Sequence, residues 1–262
     1  VNKKNFTWKI NLNLTHYKNK ITYLPDEKKT TVMDGHGGYM NGSRYYGEDL
    51  PINTWYMKRF AGLSEDGLSL WYYTDKETNE EKTTTTYSTG DFYLCGDPNP
   101  DLYGGFGTSI TFHGFDLSTQ FSYLVGGLTY DYGYAGMMGN PTATSVGNRW
   151  HKDVLKAWSP ENPSSTIPRW HFNDLNTTGS SDRFLIDGSY LNLQNIQVGY
   201  TLPDSWTSHL KIKNLRLYFV CDNVYYWSKR KGLDPRRSIS GVGTSGKIAP
   251  FRTYSGGISL QF

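Results

Sequence analysis

The sequence predicts an all-β fold, an antiparallel transmembrane β-barrel, and three observations carry that expectation. Segments of alternating apolar and polar residues recur along the chain, their polar faces are small or amide-bearing with little charge, and long connections alternate with short ones. Composition agrees. Of 262 residues, 21 are Tyr, 12 Phe, 8 Trp and 28 Gly, so aromatics reach 16% while all hydrophobic residues reach only 37%. Soluble cores are built mainly from Leu, Ile and Val, whereas Tyr, Trp and Gly gather in extended structure, turns and wet-to-apolar boundaries.

A strand with hydrocarbon on one side and water on the other must alternate, because successive side chains point to opposite faces. In the first segment Phe6, Trp8, Ile10, Leu12 and Leu14 share one face, and Thr7, Lys9, Asn11, Asn13 and Thr15 share the other. A single strand of this kind fits a soluble sandwich equally well. The repetition decides for the membrane. Phe106, Ile110 and Phe112 alternate with Gly105, Gly107, Ser109 and Thr111; Phe115, Leu117, Phe121, Tyr123 and Val125 alternate with Asp116, Ser118, Gln120 and Ser122; Tyr254, Ile258, Leu260 and Phe262 alternate with Thr253, Ser255, Ser259 and Gln261. Around Leu191, Leu193, Ile196 and Val198 the phase slips by one residue, which predicts a β-bulge near Gln194.

Eight strands are expected, over 5–23, 37–48, 52–60, 104–113, 115–130, 186–200, 211–227 and 250–262. Threaded up and down, they place long extracellular loops near 25–36, 61–103, 131–185 and 228–249, and short turns near Leu50, near Gly114 and at 201–210. Long loops on one rim and short turns on the other mark an outer-membrane barrel. Trp8 and Tyr17 bracket the first strand, and Tyr225, Tyr226 and Trp227 close the seventh, where aromatic belts meet lipid headgroups. Trp71, Tyr72, Tyr73, Trp150, Trp158 and Trp170 fall in the long loops, available for packing or for stacking on an extracellular ligand.

Several classes are excluded. No run reaches the 18 or so apolar residues of a spanning helix. Twenty-seven basic and 24 acidic residues, net +3, are spread without the stripe that would hold nucleic acid. Cys95 and Cys221 are too few and too far apart for a disulfide framework or a zinc site. The six histidines show no metal spacing, and the adjacent carboxylates (Glu48 and Asp49, Glu65 and Asp66, Glu80 and Glu81) suit solvated turns. GVGTSGKI, 241–248, resembles a phosphate loop but has Ile248 where Ser or Thr would hold magnesium. No catalytic constellation and no cofactor are expected. The start at Val1 suggests a processed, nicked or partial chain.

The last residues, SGGISLQF, place Ser255, Gly257, Leu260 and a final aromatic Phe262. This resembles the terminal β-signal by which bacterial outer-membrane barrels are handed to their assembly machinery. A closing strand has to be recognised by its face before the sheet can close.

DRFLIDGSYLNLQNIQVGYTLP, then LRLYFVCDNVYYWSKRKGLDP, then RTYSGGISLQF resemble the end of SusC/RagA-type TonB-dependent transporters of the Bacteroidetes. NFTWKINLNLTHYKNKITYL, GDPNPDLYGGFGTSITFHGFDLSTQFSYLVGG and a Trp/Pro segment ending IPRW match in the same order, so the resemblance spans nearly the whole chain. It implies the last eight strands of a barrel of about 22, with the plug, the TonB box and the signal peptide absent from these residues. It further implies import of an oligosaccharide or oligopeptide, a SusD-like surface lipoprotein as lid, and energy from the TonB complex through the missing part. Trp71, Tyr72, Trp150 and Trp170 are then the candidate contacts for ligand or lid. Two alternatives stay open: a complete small eight-stranded barrel acting as adhesin, anchor or membrane enzyme, and a soluble β-sandwich binding module.

Overall fold

A computed structural model of the chain describes residues 1–142, 149–174, 176–177, 179–237, 240–242 and 250–262. Its largest element is an antiparallel sheet of six long strands: β1 (Phe6–Thr15), β2 (Leu102–Phe112), β3 (Phe115–Val125), β4 (Tyr190–Thr201), β5 (Asn214–Ser228) and β6 (Thr253–Gln261). They pair in chain order, and a two-residue stub, Asn2–Lys3, lies outside the start of β1. Five of the six have the 9–12 residues that cross a bilayer at a tilt, and β5 has 15.

The register converts sequence alternation into two continuous surfaces. Trp8, Ile110, Leu117, Val198 and Phe219 are successive cross-strand partners, as are Leu12, Phe106, Phe121, Leu193 and Tyr225. This face stays exposed, with Ile10 on the edge strand 65% accessible and Leu117 and Val198 on the central strands 38% and 44%. Thr108 is polar on the same face, and it accepts a hydrogen bond from the Trp8 indole (2.8 Å) while donating to the Lys9 carbonyl (3.3 Å). Hydrocarbon demands such internal satisfaction of polar groups. The opposite face aligns Asn11, Gly107, Gln120, Asn195, Asp222 and Thr253 in one row.

The bulge falls where the phase slip put it. Gln120 pairs with Asn195 and Phe121 with Leu193, leaving Gln194 without a partner, and β5 shifts opposite it at Asn223 and Val224. That one extra residue keeps Leu191 and Leu193 on the face of Ile196 and Val198.

Two expected wall strands belong elsewhere. Residues 37–48 and 52–60 do contain strands, His36–Asn41, Arg44–Gly47 and Thr54–Lys58, but these join Thr31–Met33 and Phe92–Leu94 in a separate five-stranded sheet. They are 4 to 6 residues long, too short to cross, and Thr54–Lys58 is buried at every position, so it has no lipid face. The wall therefore has six long strands where eight were expected, and its two edges, β1 and β6, do not pair among the described residues.

The connections sort by rim. β2 turns into β3 through His113 and Gly114 alone, both at positive φ as a type I′ hairpin requires. β4 reaches β5 through 202–213, with a short helix at Asp204–Thr207. The other three connections, 16–101, 126–189 and 229–252, are long and leave from the opposite rim. The expected turn near Leu50 lies inside the first of them, which merges two expected loops into one. Its neck is drawn shut where His16 Nδ1 meets the Asp101 carbonyl at 2.6 Å and Tyr17 packs edge-on against Tyr103.

Candidate functional site

The hydrophobic core lies in this loop layer, outside the wall. Trp55, Met57, Tyr130, Met138 and Phe184 are buried together, with Cys95, Leu128, Val154 and Ile167 packed around them. Trp55, wholly enclosed, donates from its indole to the Leu128 carbonyl (3.1 Å) and lies under the Arg44 guanidinium. Arg44 in turn donates to the carbonyls of Asn53 (2.5 Å) and Ser240, which brings the third loop onto the first. Arg230, also from the third loop, pairs with Asp131 of the second and lies over the Tyr134 ring. The described residues of all three loops thus meet in one layer. Burial pushes the Cys95 thiol up to about 11, so it is held as a protonated packing group.

The KGLDP motif ties this layer to the inner face of the wall. Leu233 and Asp234 are buried, and the Asp234 carboxylate grips Arg236 through two hydrogen bonds of 2.8 and 2.7 Å. Arg236 then donates to the Asn192 side chain on β4 (2.7 Å) and lies over the Tyr226 ring on β5. Below it the inner face forms an open groove of about 790 Å³, lined by Lys9, Asn11, Ser109, Ser118, Gln120 and Asn195. Its inner-face lining carries amides and hydroxyls beside Lys9, and Trp8 and Ile10 border it on the edge strand.

Of the aromatic candidates, the structure brings Trp150 and Trp170 together. Their rings meet edge to face at 5.5 Å, and they remain 37% and 42% exposed. The Trp150 indole donates to the Gly139 carbonyl (3.1 Å), which fixes one ring of the pair. Phe172, two residues beyond Trp170, is exposed as well. Tyr72 sits apart, half-buried under Arg59 in the hairpin Phe60–Leu63 and Ser69–Thr74. Trp71 is 1% exposed and closed in by Phe60 and Tyr87, so its ring packs inside the loop layer. Period-2 alternation in a hairpin cannot say which of two adjacent aromatics faces inward.

On β6, Ser255 and Gly257 face the inner side opposite Val220 and Tyr218, while Leu260 lies outward opposite Leu215. Phe262 follows the strand and is exposed, with its carbonyl held by Lys213 at 3.1 Å. Most of the glycine-rich 241–248 segment lies outside the described residues; Gly241 and Val242 are placed beside Tyr130. No group of metal-ligating side chains occurs among the described residues.

A one-layer antiparallel wall with an apolar outer face, a polar inner face and three long loops on one rim defines a transmembrane β-barrel portion. Comparison specifies the type. The chain is 28% identical to TonB-dependent receptor P3 of Formosa agariphila over its whole length, covering 27% of that protein. It is 26% identical to TonB-dependent receptor SusC of Bacteroides thetaiotaomicron, over 99% of this chain and 25% of the other. Among solved structures, the RagAB peptide transporter superposes on 100% of the chain and 28% of its own, with a TM-score of 0.81 at 23% identity. The RagAB peptide importer in its open-open state gives a TM-score of 0.78 at 23% identity, over 100% of this chain and 27% of its own. No protein-family model matches. The resemblance to SusC/RagA-type TonB-dependent transporters therefore holds across the chain, which spans about a quarter of the length of the curated relatives it matches.

Proposed function

We propose that this chain forms part of an outer-membrane TonB-dependent transporter that imports a nutrient too large for porins, an oligosaccharide or an oligopeptide. The observation that carries this reading is the pairing of a six-strand wall, lipid-facing on one side and amide-lined on the other, with whole-chain similarity to named TonB-dependent receptors. In this role the chain supplies lumen wall and extracellular loops. The remaining strands and the plug complete the barrel, the TonB complex acts through that remaining part, and a SusD-like lipoprotein covers the outer rim. The relatives carry receptor names and none is named as an enzyme, which favours transport over membrane catalysis. Deleting the gene that encodes the full transporter should abolish growth on its cargo while leaving growth on the monomer intact. Unimpaired growth on every oligosaccharide and oligopeptide tried would sink the proposal.

Trp150, Trp170 and Tyr72 serve as the outer contacts of this role, for ligand or for lid. Their exposed, paired or cation-capped rings support it; Trp71 stands behind them as packing. Ser255, Gly257, Leu260 and Phe262 serve as the assembly signal, and deletion of Phe262 should lower the yield of inserted protein severalfold. Normal insertion would remove Phe262 from that role.

A further inference from the structure

One cross-strand row on the inner face, near the short-turn rim, runs Thr111, Asp116, Gly199, Tyr218 and Gly257 from β2 to β6. Two of its members are glycines, and each lies beneath a large side chain from β5. Arg216 reaches across β4 to grip the Asp116 carboxylate on β3 with two hydrogen bonds, Nε to Oδ1 at 2.9 Å and Nη2 to Oδ2 at 2.6 Å. It does so by lying over Gly199, where an added Cβ would stand 2.5 Å from both Arg216 Nη2 and Asp116 Oδ1. Tyr218 leans the other way, over β6, and a Cβ on Gly257 would stand 2.4 Å from its ring and hydroxyl oxygen. The Arg216 guanidinium is 5.2 Å from the Tyr218 ring centroid, which joins the two halves.

Real Cβ atoms do not approach neighbours this closely, so a side chain at Gly199 would displace the Arg216 and Asp116 side chains, and one at Gly257 the Tyr218 ring, from their seats. Backbone pairing alone would let β6 slide along β5, whereas a ring seated over a single glycine fits one register only. We infer that Asp116, Arg216, Tyr218 and Gly257, with Gly199 as clearance, form a latch that locks β6 to β3 and keeps bulky groups flat against the lumen wall. Gly257 then has a steric role inside the folded wall, separate from recognition by assembly machinery. The latch rests on the barrel reading and not on the identity of the cargo.

The test is folding of the full-length transporter into phosphatidylcholine vesicles without assembly machinery, followed by urea titration with gel mobility as readout. Gly257→Ala is expected to lower the folding equilibrium constant about tenfold when Tyr218 is present and less than about twofold in a Tyr218→Ala background, since the cost is a collision between the two. Tyr218→Phe keeps the ring and should stay within about twofold of wild type. Gly199→Ala, outside β6, should cost about tenfold and lose that cost when Asp116 and Arg216 are both Ala. Equal penalties for Gly257→Ala with and without Tyr218, or none at all, would overturn the latch. Failure of the wild-type protein to insert would overturn the barrel reading and the latch with it.

Discussion

Trp55 shows what the loop layer demands of single residues. Its ring is wholly buried, bonds the second loop through Leu128 and is capped by Arg44, which reaches the third loop. Trp55→Ala leaves a large cavity and strips the partner from a buried guanidinium. A loss of about 3–5 kcal/mol is expected, confined to the loop layer and visible as faster amide exchange in 54–58 and 128–130 while β1 to β6 stay protected. Exchange rising equally in the wall would show that layer and wall fold as one unit. Asp75 supports a more local prediction. The Lys82 ammonium, first, and then the N–H groups of Glu77 and Thr78 hold its carboxyl down to about 2, against an ordinary 3.8. A depressed acid stabilises fully above its unfolded value and loses that contribution as pH falls toward its folded one. Amide protection in the turn between Ser69–Thr74 and Glu81–Thr84 should therefore fall between about pH 4 and pH 2. Asp75→Asn should remove that pH dependence, and an unchanged profile in the variant would reject the assignment.

Among the wall strands, β4 depends on a single inserted residue. Deleting Gln194 would turn Leu191 and Leu193 inward and Asn192 toward lipid, and it would break the Arg236 to Asn192 hydrogen bond. Deletion should abolish the folded, heat-modifiable species, whereas Gln194→Ser, which keeps the residue count, should preserve it. Equal yields from the two would mean that the bulge carries no register information. The bulge was legible because a phase slip is written in consecutive residues. The same logic failed for His36–Asn41 and Thr54–Lys58: alternation reports that a segment is extended, but sheet membership is a long-range matter. What separates them from wall strands is length and two-sided burial, and burial of Trp55 depends on Leu128 and Tyr130, far away in sequence. Trp71 could not be told from Tyr72 for a related reason, since the two are adjacent residues on opposite faces of one strand. The Trp150 and Trp170 pair was legible as residue type but not as geometry, because twenty residues of loop separate them.

For the whole molecule, the decisive question is which face of the wall meets hydrocarbon. Phe121 and Gln120 are neighbours at mid-strand on β3; Phe121 belongs to the apolar row with Phe106 and Leu193, Gln120 to the amide row with Gly107 and Asn195. A membrane wall assigns these two positions opposite tolerances. Phe121→Arg places a guanidinium in the bilayer, at an expected cost of about 2–4 kcal/mol near the midplane, and also discards the stacking of Phe121 on Phe106 at 4.5 Å. Phe121→Ala discards the stacking alone, so the difference between the two variants isolates the charge. Gln120→Arg faces the lumen beside Asn11 and Asn195, where water can solvate it, and should cost under about 1 kcal/mol. Measured by folding of the full-length protein into lipid vesicles, the expected order of stability is Gln120→Arg near wild type, Phe121→Ala below it and Phe121→Arg lowest. A soluble sandwich would burden Phe121→Arg in buffer as well and would not fold better with lipid than without. A reversed order, with Gln120→Arg the more damaging, would mean that the amide row is the buried one and that the wall has been read inside out.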